Sequence, residues 1–366
     1  MRQALELARH PVQAPHPNPW VGCVIVRRGR IVGRGWHCGP GTRHAEIVAL
    51  DEAGPRARGA TVYVTLEPCC HYGRTPPCTH ALIRAGVGEV VFAMRDPNPV
   101  VAGRGARLLR QAGIKVTQGL GAAEARALNE AYLKHRATGM PFVSLKVAAS
   151  LDGKTATRAG HSKWITDAAA RKHGRKIRAE HQAILTGVTT ILRDDPHLGA
   201  RIRGVGETWR VVVDSLLRTL PGSQVVQSGH CVIACTSNAS PRRQARLEAQ
   251  GAQVWRFPGR RVPLRGLLRR LGAHGIVSVL VEGGSEVRGS LLDARLADRV
   301  YWFLAPKILG SQQALSAVGG RGAGRLTEAV HLGQARIEAV GSGWLVTGTL
   351  SKYALNPTSS RKAGGE

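Results

Sequence analysis

Residues 65–80 read TLEPCCHYGRTPPCTH, which places three cysteines and two histidines within sixteen residues. The stretch overlaps a run rich in β-branched residues, ATVYVTL, and its last cysteine opens the helical pattern CTHALIRAG. Cys69 therefore follows a predicted strand. Cys78 begins a predicted helix, where the helix dipole and free N–H groups favour the thiolate. This strand–loop–helix junction predicts a metal site built on an α/β fold.

A third ligand and a proton carrier precede this junction. His44 stands in the triplet HAE, and Glu46 lies two residues later on the same predicted first turn, where it can serve a metal-bound water without ligating the metal. A His-x-Glu followed by Pro-Cys and a second, helix-opening Cys is the signature of zinc deaminases. It predicts zinc held by His44, Cys69 and Cys78, with Glu46 as general acid and base. The usual form has two residues between the cysteines, whereas eight stand between them here.

The other cysteines are not expected to bind the metal. Cys70 adjoins a predicted ligand, and adjacent residues rarely both point at one metal. Cys23 and Cys38 are expected to be small buried residues. Cys231 and Cys235 share a face of the predicted strand HCVIACTS and are expected in a core.

The chain shows two alternating series of strands and helices. The first contains a hairpin, VGCVIVRRGRIVGRGWH, with its turn at Arg28-Gly29, and continues through HAEIVALDEA, ATVYVTL, CTHALIRAG, EVVFAM and GARLLRQAG. A fresh strand, PFVSLKVAA, follows Gly139-Met140-Pro141, and a second α/β series extends to RVYWFLAP. We predict domains at residues 1–140 and 141–353, and a disordered polar tail at 354–366.

Length and composition suit a soluble protein. A chain of 366 residues can form two domains of about 100–200 residues each, and no apolar run approaches the roughly 20 residues that a membrane helix needs. The start, MRQALELARH, lacks the apolar core of a secretory signal and predicts an amphipathic helix. Seven cysteines, three of them clustered, favour a reduced compartment and metal binding. We expect a cytoplasmic protein without a membrane partner.

The net charge of +28 is typical of nucleic-acid binders. Only 10 of the 52 basic residues are lysines, however, the arginines are spread along the chain, and aromatic residues that could stack on bases amount to 4%. We therefore do not expect a nucleic-acid partner. Two other classes stay open at this point: a nucleic-acid deaminase with an added binding domain, and a non-catalytic zinc-binding interaction protein in which Glu46 has no role.

Five segments in this order, HPNPWVGCVIV, HAEIVAL, VTLEPCCHYGRTPPC, DPNPVVAGRG and LKVAASLDGKTA, closely resemble the bifunctional deaminase/reductase family of riboflavin biosynthesis. The resemblance covers nearly the whole chain. It implies a cytidine-deaminase-like α/β/α sandwich followed by a dihydrofolate-reductase-like α/β domain. The implied activity is zinc-dependent deamination of 2,5-diamino-6-ribosylamino-4(3H)-pyrimidinone 5′-phosphate. NADPH reduction of its ribosyl side chain to ribityl would follow, giving 5-amino-6-ribitylamino-uracil 5′-phosphate.

The resemblance also implies residue roles in the N-terminal half. The pyrimidine and its ribose phosphate would contact Asn18, His37, His71, Arg74, Asp96 and Asn98. An asparagine amide can pair with the edge of a pyrimidine ring, and an arginine can neutralise a phosphate. Asn98 is also a common turn former before proline. Cys70 departs from the family pattern, which usually has serine there.

The second half has a weaker signal of its own. VLVEGGSEVRGSLLD places two glycines between a strand and a helix, which lets N–H groups approach a phosphate, but the spacing is not the dinucleotide fingerprint G-x-G-x-x-G. By resemblance, NADPH would contact Ala148, Trp164, Thr190, Asp194, Ser215, Gly284, Ser285 and Gly289. The substrate would contact Lys146, Ser162, Arg178, Leu198, Arg201 and Glu282, with Asp152 nearby. His161 stands where the family more often has an acidic residue. Small phosphorylated pyrimidines and further copies of the chain are the expected partners.

Overall fold

The structure is a computed structural model that describes residues 1–11, 13–73 and 76–350. The chain forms two compact units. The first comprises Met1–Phe142, Arg203–Gly206 and Arg269–Val277, and the second comprises Val143–Ile202, Glu207–Leu268 and the described residues from Ser278 onward. Strands and helices alternate in both, which confirms the predicted α/β class.

The described part of the N-terminal half contains one sheet and six α-helices. Its strands are β1 (Gly22–Arg27), β2 (Arg30–Trp36), β3 (Thr61–Leu66), β4 (Glu89–Met94) and β5 (Lys115–Gln118). Its helices are α1 (Arg2–Ala8), α2 (Ala45–Ala53), α3 (Cys78–Arg84), α4 (Arg104–Gln111), α5 (Ala122–Leu128) and α6 (Glu130–Thr138). The spatial order is β2-β1-β3-β4-β5, with β1 antiparallel to both neighbours and β3, β4 and β5 parallel. The sequence interpretation missed the short, largely exposed strand β5.

The predicted hairpin is confirmed and positions helix α2. Arg28 and Gly29 form its turn with φ of 48° and 74°. A Cβ atom on Gly35 of β2 would lie only 2.1 Å from the carbonyl oxygen of Ala45, so glycine there allows α2 to pack directly on the sheet. Because α2 begins immediately after His44, this close packing places the first turn of the helix, with Glu46, against the sheet.

The C-terminal half contains a larger sheet. Its strands are β6 (Phe142–Ser150), β7 (Ala183–Gly187), β8 (Trp209–Val213), β9 (Cys231–Thr236), β10 (Gln253–Phe257), β11 (Ser278–Glu282), β12 (Arg299–Ala305), β13 (Leu332–Val340) and β14 (Gly343–Leu350). Its helices are α7 (Ala168–Ala179), α8 (Val188–Asp194), α9 (Gln224–Gln227), α10 (Pro241–Glu248), α11 (Leu264–Ala273) and α12 (Ser285–Asp293). The spatial order is β10-β9-β8-β7-β11-β6-β12-β14-β13.

The direction of these strands decides where a ligand can bind. β7 is parallel to β8 and β11, and β9 is parallel to β8 and β10. In such sheets ligands bind at the carboxyl ends of the strands, so the loops after β7, β8 and β11 face one common edge. Cys231 and Cys235 on β9 are buried, as predicted. The sequence interpretation missed the final antiparallel hairpin β13–β14.

Among the described residues, no helix combines the length and apolar character that crossing a membrane requires.

Candidate active sites

Three separate elements bring the predicted metal ligands together. His44 occupies the N-cap position of α2, Cys69 follows β3 and Cys78 opens α3, and their ligand atoms lie within 4.8 Å of one another. The His44 Nδ1 atom is 3.2 Å from the Cys78 Sγ atom and 3.5 Å from the Cys69 Sγ atom. Tetrahedral zinc with sulfur and nitrogen ligands requires separations of roughly 3.5–3.8 Å. The His44–Cys69 separation falls in this range and the His44–Cys78 separation is slightly shorter, so the donor set fits zinc with a small side-chain adjustment.

The two thiols are electrostatically different. Hydrogen bonding from Cys78, whose N–H lies 3.3 Å from the Cys69 Sγ atom, and from His44 holds the pKa of Cys69 below its usual range. The Cys78 pKa is raised by its hydrogen bond to Cys69 and by burial. The thiolate is therefore favoured on Cys69, whose Sγ atom accepts the first N–H of α3, and not on Cys78, where the sequence analysis expected it.

Glu46 lies beside this cluster and does not belong to it. Among the described residues the ligand group consists of His44, Cys69 and Cys78. The Glu46 side chain is buried, and burial together with the charge of Cys69 raises its pKa to about 7. A carboxyl group with a pKa near neutrality can both accept and return a proton, which is what a general acid and base must do.

Two of the predicted pyrimidine contacts, Asn18 and His37, are hydrogen-bonded to each other, and the hydrogen bonds of His37 define which tautomer its ring adopts. The His37 Nδ1 atom lies 3.1 Å from the carbonyl oxygen of Arg43, so Nδ1 carries the hydrogen and donates it. The Nε2 atom then accepts from the Asn18 amide nitrogen at 2.9 Å. Burial lowers the pKa of His37, which keeps the ring neutral. The orientation of the Asn18 amide is therefore defined by a neutral histidine.

Asp96 and Asn98 form a second group within the same unit. The Asp96 carboxylate accepts from the backbone N–H of Asn98 at 2.9 Å and from the Tyr132 hydroxyl at 2.8 Å. The His71 Nδ1 atom is buried and has no hydrogen-bond partner among the described residues. Arg74 lies outside the described residues.

Cys70 and Cys38 complete the account of the N-terminal thiols. The Cys70 Sγ atom lies 3.6 Å from the carbonyl oxygen of Val100 and is not part of the metal cluster. Cys38 is exposed, so the prediction that it is buried was wrong. It lies in the loop after β2 and not on the inner face of a strand as Cys23 does.

The sequence interpretation missed three residues that hold these loops. Asn129 accepts from the backbone N–H of Trp20 at 2.8 Å and donates to its carbonyl oxygen at 3.0 Å. Tyr132 contacts Asp96, and buried Glu67 accepts three backbone N–H groups. These partners lie 29 to 109 residues apart, so no local motif could have revealed them.

In the second half, a largely buried ion pair joins three of the predicted substrate contacts. The Glu282 carboxylate accepts from Arg178 Nε at 2.6 Å and from Arg178 Nη2 at 2.7 Å, while Lys146 Nζ lies 3.8 Å away. Burial alone would raise the pKa of Glu282, but the charges of Arg178 and Lys146 overcome it and lower the pKa to about 2. Arg178 also donates to the carbonyl oxygen of Gly199 at 3.1 Å, which ties the 198–201 loop to the pair.

The remaining predicted substrate contacts lie in that loop or earlier in the chain. Leu198 is buried and Arg201 is exposed, and both have positive φ, of 57° and 53°. Ser162 is half-buried. Exposed Asp152 accepts from the backbone N–H groups of Leu309 and Gly310 at 3.1 and 2.8 Å, so its observed role is to hold that loop.

Most predicted NADPH contacts lie at the carboxyl edge of the sheet. Thr190 and Asp194 lie on the helix after β7, Ser215 follows β8, and Gly284 and Ser285 follow β11. The Ser215 carbonyl oxygen accepts from the N–H and hydroxyl of Thr236 at 3.1 and 2.9 Å, which fixes its loop.

Three predicted cofactor residues lie elsewhere. Ala148 is on β6. Gly289 is buried against the backbone of residues 319–320 and so packs α12 closely. Trp164 is 64% exposed, with the Arg171 guanidinium 4.5 Å from its ring, and it lines a cavity of about 220 Å³ together with Phe303, Lys307 and Trp344.

Comparison with known proteins defines the class. Residues 1–94 match the cytidine and deoxycytidylate deaminase zinc-binding region, and residues 141–346 match the RibD C-terminal domain. The riboflavin biosynthesis protein RibD of Bacillus amyloliquefaciens is 41% identical over 344 residues, 93% of each chain. RibD of Escherichia coli strain K12 is 45% identical over 325 residues, which cover 85% of this chain and 88% of that one. A solved structure of Acinetobacter baumannii RibD matches with TM-score 0.88 and 37% identity, covering 96% of this chain and 98% of that one.

Fold and sites thus define a two-domain enzyme in which a zinc-dependent deaminase domain precedes a reductase domain. The chain belongs to the RibD family of riboflavin-biosynthesis proteins. Its cofactors are zinc and NADPH. The predicted family, fold and bifunctional enzyme class are confirmed.

Proposed function

We propose that this chain catalyses two consecutive steps at two separate sites. The first is deamination of 2,5-diamino-6-ribosylamino-4(3H)-pyrimidinone 5′-phosphate, and the second is reduction of the ribosyl side chain to ribityl. A Thermotoga maritima structure with 33% identity and TM-score 0.82, covering 96% of this chain and 97% of that one, is described as a diaminohydroxyphosphoribosylaminopyrimidine deaminase/5-amino-6-(5-phosphoribosylamino)uracil reductase. The observation that carries the proposal is buried Glu46 beside the zinc-type ligand cluster of the deaminase half.

In the first step Glu46 moves the protons. Zinc, when bound by His44, Cys69 and Cys78, lowers the pKa of water and so supplies a nucleophile at neutral pH. Glu46 accepts one proton from the attacking water and passes it to the pyrimidine ring nitrogen as the C–O bond forms. It then accepts the remaining proton from the hydroxyl of the tetrahedral adduct and passes it to the amine, which leaves as ammonia when the C–N bond breaks. Asn18, oriented by neutral His37, pairs with the edge of the ring.

Asp96 and Asn98 contact the ribose phosphate region in this proposal. Tyr132, which donates to the Asp96 carboxylate, holds that residue in place.

In the second step the protein orients the sugar and its phosphate. NADPH, when bound, would supply the hydride to the anomeric carbon of the ring-opened imine, in which the ring C–O bond is already broken, and solvent would supply the proton to the imine nitrogen. Thr190, Ser215 and Gly284 at the carboxyl edge of the sheet hold the cofactor. Lys146 and the Arg178–Glu282 pair shape the floor of the substrate pocket, and exposed Arg201 supplies a positive charge for the phosphate.

The test is incubation of the purified zinc-loaded chain with the diaminopyrimidine phosphate and NADPH, while ammonia release and cofactor absorbance are followed together. We expect ammonia to appear first and NADPH oxidation to follow with equal stoichiometry. Oxidation of NADPH that precedes ammonia release would contradict the order of the steps. Absence of both would reject the substrate.

We further propose a domain boundary after residue 140, with domains at 1–140 and 141–353. The start of the RibD C-terminal domain match at residue 141 supports it. The predicted tail, 354–366, lies outside the described residues.

We also propose that the protein is cytoplasmic. All seven cysteines are free thiols, which supports a reducing environment such as the cytoplasm.

We also propose that the chain forms a homo-oligomer. Strand β13 is at the edge of its sheet and exposes Leu332 and Ile337, 39% and 71% accessible, as apolar side chains suited to strand-edge association. Light scattering from the purified chain measures the mass; a monomer at micromolar concentration would reject this proposal.

The metal ligands can be tested by exchanging single sulfur atoms. Cys78→Ser is expected to reduce bound zinc from about one per chain to a small fraction, because a thiolate ligand is lost from a site with three protein ligands. Cys70→Ser is the matched control and is expected to keep both zinc and ammonia release, because Cys70 is outside the cluster. Elemental analysis of the two variants provides the measurement. Full zinc occupancy in Cys78→Ser would remove Cys78 from the ligand set.

Cofactor preference can be tested at an exposed arginine. Arg218 lies three residues after Ser215 in the loop that follows β8, and its side chain is exposed. A guanidinium there can bind the 2′-phosphate that distinguishes NADPH from NADH. We expect NADP⁺ to bind more tightly than NAD⁺, and Arg218→Ala to reduce that difference about tenfold. Titration by intrinsic fluorescence measures both affinities, and equal binding of the two cofactors by the wild-type chain would contradict the prediction.

A further inference from the structure

A buried carboxylate outside the metal cluster connects two loops of the deaminase half. Glu67 is 2% exposed. Its Oε2 atom accepts from the backbone N–H groups of Asp96 at 3.3 Å and Gly103 at 2.9 Å, and its Oε1 atom accepts from the N–H of Ala106 at 3.1 Å. One side chain thus satisfies three backbone donors of the segment 96–106.

The local sequence explains why this segment needs Glu67. Helix α4 begins after Gly103, which has a φ of 84° and no side chain that could cap the helix. The first N–H groups of a helix require acceptors, and a negative charge at that end is favoured by the helix dipole. A Cβ atom on Gly105 would lie 2.2 Å from the carbonyl oxygen of Pro68. The first turn of α4 therefore rests directly on the Glu67–Pro68 segment.

The same short segment also leads to the metal. Glu67 precedes the ligand Cys69 by two residues, with Pro68 restricting the backbone between them. At the other end, Asp96 holds Asn98 and contacts Tyr132. A displacement of the 67–69 segment would consequently move the anchor of the 96–106 loop, and a displacement of that loop would move the backbone that carries a ligand.

We propose that Glu67 is a positioning residue that couples the occupation of the metal site to the order of residues 96–106, and through them to substrate binding. The step to substrate rests on the proposed function, in which Asp96 and Asn98 contact the ribose phosphate region. Coupling of two binding events is reciprocal, so zinc orders the loop and an ordered loop strengthens the metal site.

Amide hydrogen exchange of the full chain tests the coupling without any substrate. In wild type, removal of zinc with a chelator is expected to accelerate exchange within residues 96–106 about tenfold, while the amides of strand β8 in the other half stay unchanged. In Glu67→Gln, exchange of this segment is already fast with zinc bound, and chelation adds less than about twofold. The glutamine keeps one acceptor oxygen and presents an NH₂ group to the remaining N–H donors, so at least one of them loses its partner.

Glu52→Gln is the matched control. Glu52 is exposed on α2 and forms an ion pair with Arg34. Its substitution removes the same charge as Glu67→Gln but does not affect any hydrogen bond of the 96–106 loop. It is expected to behave as wild type. The proposal is overturned if zinc removal leaves exchange of 96–106 unchanged in wild type. It is also overturned if chelation accelerates the buried amides of β3 and β4 equally, because general loosening would then explain the effect.

Kinetics supply the second readout. Glu67→Gln with full zinc is expected to raise KM for the diaminopyrimidine phosphate about tenfold and to change kcat less than about threefold, because Glu67 acts on substrate binding and not on proton transfer. Glu67→Asp, which keeps the charge but is one methylene shorter, is expected to give an intermediate KM and serves both assays if Glu67→Gln does not fold. An unchanged KM in a variant with fast exchange would overturn the inference that Glu67 affects substrate binding. Lack of turnover by wild type would reject the proposed function while the exchange result still decides the role of Glu67.

Discussion

Glu46→Ala is expected to reduce ammonia release by about 100- to 10,000-fold, because it removes the group that carries protons between water and the pyrimidine. Zinc content is expected to remain at about one per chain, since Glu46 is outside the ligand cluster. NADPH oxidation with the deaminated aminouracil phosphate is expected to continue near the wild-type rate. The two rates and the zinc content, measured on one purified preparation, provide the test.

The isosteric variant Glu46→Gln is the control for this result, because it keeps the volume and polarity of the side chain and removes the ability to accept a proton. We expect it to be as inactive in deamination as alanine. Substantial ammonia release from Glu46→Gln would show that another group moves the proton. Loss of reduction with its own substrate would show that the two sites depend on each other.

Glu282→Gln is expected to lower the free energy of unfolding of the reductase half by about 3–5 kcal/mol, because Arg178 and Lys146 would remain as largely buried charges, each 21% accessible, without their counter-charge. We expect this variant to lose NADPH-dependent reduction, whereas its deaminase half continues to release ammonia. Denaturation followed by tryptophan fluorescence reports mainly this half, which contains five of the seven tryptophans. The tryptophans of this half are Trp164, Trp209, Trp255, Trp302 and Trp344.

The ion pair also predicts a pH dependence whose sign follows from the pKa of Glu282. Its pKa is lowered in the folded chain to about 2, from an ordinary value of 4.5. Its contribution to stability is therefore complete above pH 4.5 and is lost as pH falls from 4.5 towards 2. Wild type should lose stability in this range more steeply than Glu282→Gln. Parallel pH profiles for the two proteins would mean that the pair contributes little.

The metal site illustrates what could be predicted from sequence. Cys69 and Cys78 stand at recognisable ends of a strand and a helix, and His44 and Glu46 lie within one turn. These features can be recognised in the sequence because each depends on local periodicity and on a short spacing between residues. The long insert between the cysteines, with the other four motifs, was specific enough to indicate the family.

The interactions that position substrate were not predictable in the same way. Asn129 meets Trp20 across 109 residues, and Arg178 meets Glu282 across 104. The arginine and the glutamate were both predicted as substrate contacts from the resemblance, but the sequence did not indicate that they pair with each other. Each such contact exists only once two distant segments have packed, so it leaves no period or spacing in the chain.

The sequence by itself thus determined the α/β class, the two halves and the family. It also determined the three candidate metal ligands that the structure brings together. Only the tertiary structure decided that Glu67 caps α4 from another element, that Cys38 is exposed, that Gly289 is a packing residue and that Asp152 holds the 309–310 loop. The difference has one physical cause. Backbone propensity and hydrophobic periodicity act between near neighbours, whereas the hydrogen-bond partner of a buried polar group is chosen by the packing of the whole fold.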